Sequence, residues 1–138
     1  MIAMYLLESG ALIFLLLGSL HLYYTFFTDK FSSKNEHLVT EMKTSFPLLT
    51  RRTTIWKAWI GFNASHSIGA MFIGIMNIYL AANYFSILQD DIFFFAFNIM
   101  TALTYLALAK KYWFNIPFTG ILLALILFIC TFFLTIWG

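Results

Sequence analysis

Two histidines stand inside long apolar runs, His21 in "LLLGSLHLYYTFF" and His66 in "WIGFNASHSIGAMF". An imidazole can move a proton, ligate a metal or hold a haem iron. Around His66 lie the amide of Asn63 and the hydroxyls of Ser65 and Ser67. Ionisable side chains inside apolar spans are rare, and by default each marks a functional hypothesis with a partner to be named. The partner named here is the other histidine. His21 lies about six residues, and His66 about ten, from one boundary of their apolar runs, so at ~1.5 Å per residue their depths differ by a few ångströms.

Each chemistry needs more than a histidine. Catalytic zinc and di-iron sites need at least three protein ligands. The apolar runs offer His21, His66 and Glu8. Glu8 lies ~20 Å along the helix from His21 and points about 140° away. No metal site is therefore expected. "SHS" does not make a hydrolase, because adjacent helical residues splay apart and no acid stands ready to orient His66. "GAMFIG" has no lysine and no preceding strand, so no phosphate loop is read there. Cys130 is the one cysteine in the chain, which leaves no intramolecular disulfide, and its apolar surroundings suggest a small packing or lipid-facing residue.

The elements that must position these residues follow from composition. The 138 residues are 62% apolar and 10% charged, with 17 Phe, 7 Tyr and 4 Trp. Soluble domains carry about 25% charged residues. A membrane span needs about 20 mostly apolar residues. Such runs cover Ile2–Phe27, Trp56–Ala82, Ile92–Ala109 and Ile116–Trp137. Lipid offers backbone groups no partner, so the runs must be helices, and the alternation of a β-barrel is missing. The expected fold is all-α: a polytopic membrane protein forming one domain over residues 1–138, a four-helix transmembrane bundle. The first run lacks a basic start and a small-residue cleavage site, so it reads as a retained span.

Charge gives an orientation. All eight Lys and Arg fall within or beside the 28–55 loop or at Lys110 and Lys111. The positive-inside rule places both on the cytoplasmic side and both termini outside. A bacterial inner membrane suits such a chain. Trp56, Trp59 and Trp113 are expected at the inner boundary and Trp137 at the outer one. In the loop, Ser33 and Glu36 have capping-box spacing. Leu38, Met42 and Phe46 then recur at helical spacing before Pro47. A short amphipathic helix lying on the inner membrane face is expected, with docking to a partner as the alternative.

Helical phase then groups the polar residues. On the second span Asn63, His66, Ser67, Ala70, Gly74, Asn77 and Ala81 share a face, while Ser65 falls outside it and bonds its own helix. The other spans align Gly10, Phe14, Gly18, His21, Thr25 and Thr28; Phe94, Asn98, Thr101, Ala102, Tyr105 and Ala109; and Gly120, Ala124, Leu127, Thr131 and Thr135. These faces suggest a partly polar lining, plugged by Phe14, Phe94 and Leu127. Asn77 and Asn98, at similar depth, are expected to join in an interhelical amide bond.

The leading reading is a non-enzymatic ligand-binding or accessory subunit, with candidate ligand-binding residues His21, His66, Asn63, Ser67 and Asn98. No cofactor is expected on this reading. One alternative is an electron-transfer subunit holding haem b between His21 and His66, with Gly18, Gly69 and Gly74 giving the porphyrin room. Others are an oligomeric transporter of small solutes or protons, and an intramembrane enzyme with His66 as acid or base. The expected partners are the lipid bilayer and a membrane protein or further copies of the chain. Nucleic acid is not among them.

Overall fold

A computed structural model describes residues 1–137. The Trp137 side chain, expected at an aromatic belt, and Gly138 lie outside the described residues. Five helices follow in order: α1 (Ile2–Phe27), α2 (Glu36–Thr44), α3 (Ile55–Leu88), α4 (Ile92–Tyr112) and α5 (Asn115–Trp137). There is no strand among the described residues. Four of the helices, α1, α3, α4 and α5, are long and apolar enough to cross a membrane. The protein is an all-α, multi-pass membrane protein.

The termini of these helices follow local chemistry. Asp91 caps α4, its carboxylate accepting from the Phe94 amide at 3.1 Å, and Lys110 and Lys111 meet the negative end of the same helix. Pro117 is tolerated because it sits in the first turn of α5, where its missing N–H has no intrahelical partner to lose. α3 runs to Leu88, past the expected end at Ala82, but Tyr84 leaves helical geometry at φ −135°, ψ 16°. Asn83 donates its side-chain amide to the Tyr79 carbonyl one turn back, at 2.8 Å, and so competes with the backbone ladder where the helix breaks.

The chain forms two compact units. The first comprises Met1–Leu17 and Ala70–Gly138 and so takes in parts of all four long helices. It contains the apolar core: Leu7, Phe14, Phe95, Ile121, Leu125 and Phe128, with Ala70, Ala81, Ala102, Ala109 and Ala124 between them. Phe14 stacks on Phe128 at 6.1 Å and meets the edge of Tyr105 at 5.5 Å. Glycine sets the closest helix approach. A Cβ on Gly74 would lie 2.7 Å from both the Ala11 carbonyl and Leu15, so α3 can lie against α1 there only without a side chain.

Of the face expected on α3, Ser67, Ala70, Gly74, Asn77 and Ala81 are buried, and Asn63 and His66 are half-buried. On α4 and α5 the bulky plugs sit one residue on from where they were expected. Phe95 and Phe128 are buried, while Phe94 and Leu127 are half-buried. The lining is also less polar than expected. Its buried hydroxyls and amides bond carbonyls one turn back on their own helices, Thr131 alone of those described also reaching across, to the Ala3 carbonyl of α1 at 3.4 Å, and aromatic rings fill the space.

The proposed Asn77–Asn98 bond does not form. Asn77 donates to the Ile73 carbonyl at 2.9 Å and Asn98 to the Phe94 carbonyl at 3.0 Å, each one turn back on its own helix. The Asn77 Oδ1 atom is buried with no hydrogen-bond partner. A same-helix carbonyl is always within reach of an asparagine in a helix, whereas a partner on another helix depends on rotation and axial register.

The second unit, Gly18–Gly69, holds the end of α1, the loop with α2, and the start of α3. α2 forms where an amphipathic helix was expected, but its cap is different. Asn35, not Ser33, is the N-cap: its Oδ1 accepts from the amides of His37 and Leu38 at 3.1 and 3.3 Å. Ser33 sits one step earlier, its hydroxyl oxygen accepting from the Asn35 amide at 3.1 Å. The helix stops at Thr44, so Phe46 lies beyond it, in a segment tied to α3 by the Ile55 amide donating to the Ser45 carbonyl at 3.0 Å.

Candidate intramembrane polar site

The second unit brings His21, Asn63, His66 and Ser67 into one group. Asn63 organises it. Its Nδ2 donates to the Trp59 carbonyl at 2.8 Å, which turns Oδ1 toward α1. There it meets His21 Nε2 at 3.0 Å. An amide oxygen only accepts, so Nε2 carries the hydrogen; in the uncharged tautomer Nδ1 is then an acceptor. The Asn63 backbone carbonyl accepts from the Ser67 hydroxyl at 2.8 Å. Ser65, as expected from its phase, bonds the Phe62 carbonyl at 3.1 Å and stays outside the group.

The imidazoles of His21 and His66 touch edge to face, with centroids 5.3 Å apart and planes at 73°. The other neighbour of His21 is Phe31, stacked on it at 4.3 Å and 29°. The Phe31 carbonyl accepts from Trp59 Nε1 at 3.3 Å. The Thr25 hydroxyl donates to the His21 carbonyl at 2.8 Å. His21 is thus held on α1 and through its ring, while His66 contributes a half-buried imidazole beside it.

Phe31 was not singled out from the sequence, and Trp59 was assigned only to an interfacial belt. Phe31 follows the end of α1 in a turn closed by the Ser32 amide and the Asp29 carbonyl at 2.9 Å. No periodicity marks a residue in such a turn. The one available signal was an aromatic residue in a polar loop ten positions after a histidine. Asn98 is not part of the group. It lies in the first unit, its amide bonded within α4.

Two imidazoles on one haem iron each aim a nitrogen at the metal from about 2 Å, with the macrocycle between them. In the structure the rings are in contact, and His21 Nε2 is engaged by Asn63. Gly74, expected to leave room for a porphyrin, is closed by Ala11 and Leu15. The residues as arranged do not fit a haem. Among the described residues no three His, Cys, Asp or Glu gather as a metal site. Beside Glu8, the Ser9 hydroxyl donates to the Tyr5 carbonyl at 2.7 Å.

Compared with known protein families, curated proteins and solved structures, the chain matches none.

Proposed function

We propose that this protein is a non-enzymatic, ligand-binding membrane protein whose polar site is built on His21, Asn63 and His66. The supporting observation is the His21–Asn63 hydrogen bond. It joins residues 42 positions apart in sequence and leaves Nδ1 of the uncharged ring as an acceptor within a span. A ligand that donates a hydrogen bond meets His21 Nδ1, with the His66 ring beside it. The basic loop is taken to face the cytoplasm of a bacterial inner membrane, with both termini outside, because all eight Lys and Arg fall on one side of the four spans.

Native mass spectrometry of protein purified in mild detergent tests the reading. The wild type is expected to retain a bound small molecule that His21→Phe and His66→Phe both release while helical content stays unchanged. Equal retention by all three proteins, or no bound mass in any, contradicts it. Cysteine labelling in intact cells checks orientation in a Cys130→Ala background. Thr50→Cys is expected to be protected from an impermeant reagent and Asp90→Cys to be labelled; the reverse pattern overturns the assignment.

A further inference from the structure

A second site lies in the loop unit. Phe31, Ser32, Ser33, Met42, Trp56 and Trp59 line an open depression of about 280 Å³. Its walls are aromatic, and its polar groups are two serine hydroxyls. Ser33 uses its oxygen as an acceptor for the Asn35 amide and keeps its O–H to donate. Ser32 makes no side-chain hydrogen bond within the described chain. Lys43 reaches over the Trp56 ring, its Nζ 5.3 Å from the centroid. The depression therefore pairs apolar rings with hydroxyl donors and a nearby cation.

Its surroundings state what covers it. From Asp29 to Lys57 the chain has six Lys and Arg against three Asp and Glu. The same loop exposes large apolar residues: Leu48 at 109% and Leu49 at 94%, with Phe46 and Leu38 about half exposed. Basic residues beside exposed leucines and tryptophans are the composition of a segment resting at a membrane interface, its leucines among acyl chains and its cations at headgroups. A zwitterionic surface offers such cations no net attraction, whereas an anionic leaflet offers about 1 kcal/mol, roughly fivefold, per basic residue.

We infer that this depression is a binding site for an anionic phospholipid. The phosphate meets the Ser32 and Ser33 hydroxyls and the Lys43 ammonium, and the glycerol edge lies against Phe31, Trp56 and Trp59. The inference uses the membrane placement of the helices and does not require the histidine site to bind a ligand. Phe31 and Trp59 belong to both: Phe31 stacks on His21, the Trp59 carbonyl accepts from Asn63, and both line the depression.

Quenching by brominated lipid tests it. Full-length protein carrying Trp113→Phe and Trp137→Phe keeps Trp56 and Trp59 as reporters and is reconstituted in phosphatidylcholine vesicles. Phosphatidylglycerol with brominated acyl chains is then titrated in. Quenching is expected to follow a local mole fraction about fivefold above bulk. Lys43→Gln with Ser32→Ala should cut the enrichment severalfold, and Lys110→Gln with Lys111→Gln should lower it less. Equal quenching by brominated phosphatidylcholine overturns the inference. So does enrichment that Lys43→Gln with Ser32→Ala lowers no more than Lys110→Gln with Lys111→Gln does, which would place the lipid elsewhere. Removal of the enrichment by millimolar soluble glycerol phosphate would show a site for free anions and equally overturn it. Circular dichroism of each variant confirms the fold. Loss of bound mass on His21→Phe with quenching unchanged, or the converse, separates the two sites.

Discussion

Asn63 and Asn77 lie on the same helix, and each donates its side-chain amide to the carbonyl one turn back. They differ in what reaches the oxygen. In the second unit His21 meets Asn63 Oδ1 from another helix. In the first unit Asn77 Oδ1 is buried and meets nothing. An unmet buried acceptor costs about 1–3 kcal/mol, while an interhelical hydrogen bond in a bundle gains about 0.6–2 kcal/mol. One amide thus builds a site, and the other burdens the bundle that holds it. Burial alone does not separate them, since Asn77 is the more buried of the two. The distinction is a partner on a second helix.

The largest effect should come from forcing the bundle apart where its helices are closest. Gly74→Val places atoms against the Ala11 carbonyl and Leu15, and backbone cannot give way as a side chain can. A loss of about 3 kcal/mol or more is expected from this overpacking, read as denaturant unfolding in detergent micelles. Gly10→Ala is the milder companion. Its new Cβ meets the Phe128 ring at 2.6 Å and backbone only at 3.3 Å, from the Ala124 carbonyl, so a side chain rather than backbone must shift and a smaller loss is expected.

Next come the two asparagines, which should respond with opposite sign. Asn63→Leu strands the His21 Nε2–H and is expected to cost about 1–2 kcal/mol. Asn77→Leu removes an unmet acceptor at similar volume and is expected to raise stability by about 1 kcal/mol. If both substitutions destabilise equally, the contrast between the units fails. The smallest effect belongs to α2. Asn35→Ala should weaken that helix by about 1 kcal/mol, seen as faster amide exchange at His37 and Leu38, while Ser33→Ala should change those amides less.

How far these features could be read from sequence depended on the geometry involved. The buried face of α3 was legible because a helix repeats every 3.6 residues, so phase alone groups Ser67, Ala70, Gly74, Asn77 and Ala81. The proximity of His21 and His66 was legible from depth and phase together. That Asn63 would be the residue bonding His21 was not, because choosing between neighbours a turn apart needs axial register to within a few ångströms. The Asn77–Asn98 expectation failed for a related reason: each amide had a nearer acceptor on its own helix. The cap of α2 moved from Ser33 to Asn35 because both residue types cap well and turn geometry decides between them. Phe31 lay in a turn, where no period exists to mark it.

The most direct test of the account is a double-mutant cycle on His21→Phe and Asn63→Leu, measured by equilibrium unfolding in one detergent. The predicted coupling is about 0.6–2 kcal/mol, so the double variant should lose less than the sum of the two single losses by that amount. Additive losses, with coupling within error of zero, would contradict the claim that this pair builds the site.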